Sequence, residues 1–441
     1  MDVLTAVCSR WRQLFLNSPQ LWTLVCISLY PNQPETVRSV NKVSVAHRYV
    51  KNSRLLPLHI RLFCPPAEII HNSFANDVLN VLLQASDRWE SSILHVWERD
   101  IQSLPSSFPL LKKLYLHTWQ PDIWFPRSSE QVNVNDVSMP QLSALHLFMG
   151  VSEFPLIVTQ KLSLQVLTSL EVSSVVPEGV RALFELLNSC RLTLRELRMS
   201  KIRSWSPVTN ALIFPFLKTL TMRDMDRKCS KGMFNMLTTP RLLALEFIGC
   251  RFLSDATRWP SDLQRVHERG FPNSRAVKRF IDRSKLSSSL RLLTIIDADI
   301  GPSQIQDALQ HLPLISSLRL MLTSDSPVFA FLMRGQNDSI PHPLSHLRAF
   351  TYVPKPGRVV NDENRLLEMV RSRLVEGGPP FRLDVIQVCI CLRAQPLYNT
   401  PTGEGFFRCG NVKHCQCANL DAEITERFTE LLEQGLHLSV R

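Results

Sequence analysis

A chain of 441 residues, 44% hydrophobic and 20% charged, can bury a large core and has the ordinary balance of a globular protein. Glycine is scarce at 14 and proline plentiful at 29, which argues against phosphate-cradling loops and for many short strands and loops. The formal charge of +11 invites a nucleic-acid reading, but outside one stretch the basic residues are interspersed with acids, which argues against a phosphate-tracking stripe.

No apolar run reaches the length of a membrane span, the longest lying near Leu21 to Tyr30. Met1-Asp2 lacks the basic start of a signal peptide, and Leu438-Ser-Val-Arg441 is no lipidation box. Eleven scattered cysteines read as reduced thiols rather than a disulfide framework. Together these point to the cytoplasm or nucleus.

Taken in order, the chain opens on an amphipathic helix with Val7, Cys8, Trp11 and Leu14 or Phe15 on one face. Trp11 and Trp22 are the expected core anchors of this stretch. Asn17-Ser18-Pro19 stops the helix, and an apolar run starts at Leu21-Trp22. A helix over residues 43–50 and a strand over 56–62 follow. Residues 74–83 then read as a helix and 92–97 as a first sheet strand.

From residue 111 to residue 352 one pattern recurs nine times: apolar, two residues, apolar, one residue, apolar. Phe108-Pro-Leu-Leu-Lys-Lys-Leu-Tyr-Leu116 and Thr239-Pro-Arg-Leu-Leu-Ala-Leu-Glu-Phe247 are clear copies. The copies start at Leu111, Leu142, Leu167, Leu194, Leu217, Leu242, Leu290, Ile315 and Leu347, with steps of 31, 25, 27, 23, 25, 48, 25 and 32 residues. A period in the mid-twenties means a solenoid, because no single unit of that length can bury its apolar side alone. The last two apolar positions alternate, as on one face of a strand, and stretches such as Val180 to Leu187 have helical spacing. A strand and a return helix per unit would build a parallel inner sheet with outer helices.

The double-length step is either a degenerate repeat or a replacement. Residues 251–285 there hold nine Lys or Arg against four Asp or Glu, and two helices are expected around Gly270-Phe-Pro272. They are either the remains of a repeat or an insertion showing a basic surface to an acidic partner. Residues 119–126 form an aromatic loop that either anchors a partner or caps an apolar end. Past the last repeat, a helix around 365–370 and a strand over 383–390 are expected, the strand closing the end of the stack.

Leu242-x-x-Leu245-x-Phe247-x-x-Cys250 resembles the strand-and-turn signature of the leucine-rich-repeat family. Val7-Cys8-x-x-Trp11-x-x-Leu14 with Ser18-Pro19-x-Leu21-Trp22 resembles the second half of an F-box, and is most similar to F-box proteins of mushroom-group fungi. The resemblance implies a partial F-box over residues 1–30, connecting elements over 31–90, a repeat array over 91–400 and a terminal loop and capping helix over 401–441. It implies a non-catalytic substrate receptor of a cullin-RING ubiquitin ligase. Val7, Cys8, Trp11, Leu14, Pro19, Leu21 and Trp22 would meet the ligase adaptor. Only six residues precede Val7, too few for the family's first helix, so either that helix lies upstream of Met1 or adaptor binding is lost; a leucine-rich-repeat scaffold without adaptor binding is the alternative.

No phosphate-loop, dinucleotide, zinc-protease or nucleophile-elbow motif occurs, so no enzyme and no cofactor is expected. Cys409, His414, Cys415 and Cys417 are the one metal-like cluster, but their tight spacing lacks the two separated pairs that wrap zinc. Partner recognition falls instead to residues beside the buried leucines on the inner face. These are Tyr115, His117, His146, Phe148, Glu171, Arg198, Arg223, Glu246, Arg319 and Met321. Their mixed chemistry suits a protein better than a phosphate backbone.

Overall fold

The computed structural model describes residues 8–29, 35–64, 73–97, 104–119, 137–148, 164–175, 180–202, 211–249, 274–296, 301–322, 326–333, 344–354, 364–374, 381–385, 429, 431 and 436–440. Contacts divide the chain into two units, Met1–Leu217 and Lys218–Arg441. Both are α/β, and they supply seven parallel sheet strands each, fourteen among the described residues.

In the first unit the strands follow chain order: β1 (Leu24–Ser28), β2 (Leu58–Phe63), β3 (Trp89–Trp97), β4 (Lys113–Trp119), β5 (Ala144–Phe148), β6 (Ser169–Ser173) and β7 (Glu196–Ser200). Two short strands, β8 (Leu212–Ile213) and β10 (Leu237–Thr238), stand outside the large sheet. The second unit runs β9 (Thr219–Arg223), β11 (Ala244–Ile248), β12 (Leu292–Ile296), β13 (Ser317–Leu322), β14 (Ala349–Pro354), β15 (Phe381–Val385) and β16 (Leu436–Val440).

The recurring pattern explains the register. All nine starting residues are buried, the most exposed being Leu347 at 5%. The two apolar residues that follow each of them point to the same buried face. Leu114, Leu145, Leu170 and Leu197 are in register across β4 to β7. In the second unit Leu220, Leu245, Leu293, Leu318 and Phe350 do the same. The residue after each start passes its carbonyl onward: Lys112 accepts from the N–H groups of Ser143 and Ala144, and Leu243 from those of Arg291 and Leu292. Within each unit, one repeat thus sets the backbone height of the repeat after it.

No strand separates β11 from β12 in the 48-residue step, as either a degraded repeat or an insertion would leave it. β11 pairs directly with β12 along its full length, so this step adds no strand to the sheet. Of its two expected helices, the second is α6 (Ser274–Ser284), and the first lies outside the described residues. The other helices are α1 (Ser9–Leu16), α2 (Glu35–Asn52), α3 (Ser73–Leu83), α4 (Val180–Cys190), α5 (Arg227–Met236), α7 (Pro302–Gln310), α8 (Pro327–Leu332) and α9 (Asn364–Arg373). Helices α5 to α9 pack side by side in chain order. The last strand is β16, not the segment expected at 383–390, because β15 has β16 beside it.

Three arginines each tie a later segment to the end of an earlier helix. The Arg373 guanidinium donates to Leu332 O at 2.9 and 2.6 Å and to Leu344 O at 2.6 Å, closing the C-terminal end of α8. Arg283 does this for α5 through Phe234 O and Leu237 O. Arg88 reaches Val50 O, Leu56 O and the Ser53 hydroxyl behind α2. Helix C-termini leave carbonyls without intrahelical donors, and a guanidinium has the fork to serve several at once.

The first strand was not legible in the sequence as a strand, and the N-terminal packing differs from expectation. Trp22 is fully buried; its Nε1 donates to Phe15 O at 2.9 Å, and its ring meets Phe15 and Tyr49 edge-on. Trp11 is 57% exposed and Leu14 is 54% exposed, so Trp11 is no core anchor. Helix α1 has eight residues, and Phe15 alone takes the side that meets Trp22.

Candidate functional site

Alternation puts every second strand residue on the face opposite the leucines. In the first unit, parallel register lines these residues up. Phe63, His95, His117, Phe148 and Ser173 form one row across β2 to β6. Ile93, Tyr115, His146, Glu171 and Arg198 form the next, across β3 to β7.

The rings touch along and between the rows. Phe63 and His95 lie 4.8 Å apart, His95 and His117 4.7 Å, and His117 and Phe148 4.0 Å. His95 stacks on Tyr115 at 5.5 Å, and Tyr115 meets His146 edge-on at 4.1 Å. His146 Nε2 is 3.5 Å from Glu171 Oε1. The Nδ1 atoms of His95 and His117 are 3.1 Å apart, so one imidazole donates and the other accepts.

Burial keeps the three imidazoles of this surface neutral. It lowers His95 to about 4. Burial, then the charges of His95, His146 and Lys201, lowers His117 to about 3. His146 falls to about 4 through burial, with Arg198 and His95 adding to the shift. Tyr115 is raised by burial and by Glu171. At neutral pH the result is a continuous patch of neutral rings, with Glu171 and Arg198 at one side. It offers apolar faces and imidazole hydrogen bonds, the mixture that interface centres favour.

The structure therefore brings together Tyr115, His117, His146, Phe148 and Glu171, with Arg198 next in register. His117 is more enclosed than expected, at 8% exposure, because His95 and Phe148 flank it. Phe63, Ile93 and His95 belong to the patch but were missed. The Leu94 and Val96 alternation in 92–97 already placed Ile93 and His95 on the open side.

The second unit carries Arg223, Glu246, Arg319 and Met321. Glu246 and Arg319 lie in one row with Thr221 and Thr294, and the Thr221 hydroxyl donates to Glu246 Oε2 at 2.8 Å. Arg223 is in register with Ile248. Met321 is buried at 8% exposure, a correction to its expected open position; it lies in register with Val353. No ring patch forms there among these residues.

At the N-terminus, Cys8, Trp11, Leu14 and Leu21 are exposed, Pro19 is half-buried and Trp22 is internal. Val7, Cys250, the loop from 120 to 126, and Cys409, His414, Cys415 and Cys417 lie outside the described residues. Among the described residues, no group of three or more His, Cys, Asp or Glu is arranged to hold a metal ion, and no helix is long and apolar enough to cross a membrane. Burial raises Cys190 and Cys229 to about 12, which leaves them inert as nucleophiles. A scan of the chain against protein-family models finds no match, and a search of curated proteins finds none either.

Proposed function

We propose that this chain is a non-catalytic protein-interaction module, a leucine-rich-repeat solenoid that serves as substrate receptor of an F-box-type cullin-RING ubiquitin ligase. The observation that carries the interaction role is the neutral ring patch of Tyr115, His146, Phe148 and His95 on the open face of the first unit. Half-buried rings supply contact area at low entropic cost, and Glu171 and Arg198 add polar discrimination at the margin.

The ligase role is supported by the F-box resemblance of residues 7–22 and by the exposure of Trp11, Leu14 and Leu21 in that stretch. A surface with these side chains has apolar area for an adaptor to cover. Affinity purification of the full chain from cells tests it: adaptor and cullin should co-purify, and Trp11→Ala with Leu14→Ala should abolish their recovery. Recovery of neither from the unaltered chain overturns the ligase role.

A scaffold without adaptor binding is the second reading. It is favoured by β1, which joins the large parallel sheet immediately after the F-box-like stretch, while Trp22 packs α1 and α2 together beside it. Residues 8–29 would then be an end cap of the repeats. In that case partners that depend on Tyr115 and His146 are recovered, but no ligase subunit is.

A further inference from the structure

Helix α6, from the described part of the basic stretch, shares a larger surface with α5. Helix α6 buries Ala276, Val277, Phe280 and Ile281, which leaves Arg275, Lys278 and Arg279 on its exposed side. Helix α5 buries Cys229, Met233 and Phe234 in the same helical phase, which leaves Lys228 and Lys231 exposed with Arg227 at the margin. The two helices are direct neighbours: Phe234 and Phe280 touch at 4.7 Å, and Arg283 of α6 binds the end of α5. Their exposed sides therefore form one surface with six cationic side chains.

Among the described residues, little on that surface neutralises them. Among the described residues none of the six side chains is in an ion pair or hydrogen bond. Asp226 is occupied as the N-cap of α5, accepting from Lys228 N at 2.6 Å. Asp282 is the one acid on the exposed side of α6, and Asp307 on α7 marks the far margin. Six like charges on two packed helices repel one another, a cost that an anionic partner would remove.

We propose that the outer side of α5 and α6 is a docking surface for a short acidic protein segment rich in Asp and Glu. Nucleic acid fits less well. The exposed positions of these helices carry no aromatic ring on which a base could stack. Helices of 10 and 11 residues span only about 15 to 17 Å, which is too short to follow a duplex backbone. Docking there requires neither the ligase role nor the ring patch.

The test is fluorescence anisotropy of the full chain with a labelled Glu-Ser repeat peptide of about ten residues, in which opposite charge is the main attraction. Binding at about 50 mM salt should weaken about tenfold or more at about 300 mM. Lys228→Glu, Lys231→Glu, Lys278→Glu and Arg279→Glu together should lower affinity more than about tenfold. The corresponding glutamine variant should lower it less, with an unchanged thermal melt confirming the fold. A control reversing Lys51, Arg191, Arg195 and Arg348 to Glu should change affinity less than about twofold. No binding at low salt overturns the proposal, and so does an equal loss in the control, which would make the attraction one of net charge. A duplex DNA that outcompetes the peptide, with the same sensitivity to the α5–α6 reversals, would also overturn it by making this a nucleic-acid surface.

Discussion

Replacing Leu245 and Glu246, adjacent residues on opposite faces of β11, tests the strand register on which the open face depends. Leu245 is 3% exposed and lies in register between Leu220 and Leu293, themselves buried. Leu245→Ala removes a side chain held on both sides, where collapse is limited, so the upper part of the usual range applies, about 3–5 kcal/mol. A plain exposed side chain at 246 would be nearly neutral, but Glu246 accepts from the hydroxyl of Thr221, which is 1% exposed. Glu246→Ala strands that hydroxyl and should cost about 1 kcal/mol. Urea unfolding reads both, as a fall in midpoint at constant slope. Hydrogen exchange should show faster opening of β9 and β12 in the leucine variant, since stability is shared between neighbours. Equal losses, or a larger one for Glu246→Ala, would mean that the faces are exchanged, because a one-residue slip inverts every side chain.

The histidine cluster makes the first unit acid-sensitive. His95, His117 and His146 have folded pKa values of about 4, 3 and 4, below the unfolded 6.5, so the unfolded chain binds more protons between those limits. Stability is therefore full above about pH 6.5 and falls progressively toward pH 4; thermal melts should show this, and His117→Phe should flatten the slope. Arg373→Met should cost about 1–3 kcal/mol in denaturant unfolding, because the carbonyl of Leu332 loses its guanidinium donors in a buried site, while Leu344 O keeps the Leu347 N–H. Trp11→Ala should leave the thermal melt nearly unchanged, whereas Trp22→Ala should cost about 3–5 kcal/mol, since only the second ring is enclosed.

The repeat starts were readable because proline, leucine and alternation coincide there, and register then follows from equal spacing. What periodicity could not reveal falls into recognisable kinds. β1 is apolar at four of its five positions, Leu24-Val25-Cys26-Ile27, so no pattern distinguishes its buried Val25 and Ile27 from its exposed Leu24 and Cys26. Trp11 and Phe15 are both plausible core residues of one short helix, and only the location of Trp22 decides between them. The arginine ties join residues 29 to 49 positions apart, beyond the reach of any local pattern. Alternation gave His117 and Met321 the correct side of their strands, but enclosure depends on the residues in adjacent strands. The basic helix α6 was evident from its charges; that α5 extends its surface required their packing.

Photo-crosslinking from position 115 tests partner binding most directly. A photoreactive phenylalanine derivative replacing Tyr115 in the full chain, irradiated in cells, places the reactive group between His95 and His146. A protein receptor should yield a discrete protein adduct that disappears when His146→Ala and Phe148→Ala are added. The same group at Arg181, on the exposed side of α4, should yield none of that adduct. Absence of any adduct at 115 above the level at 181 would contradict a partner-binding role for the ring patch.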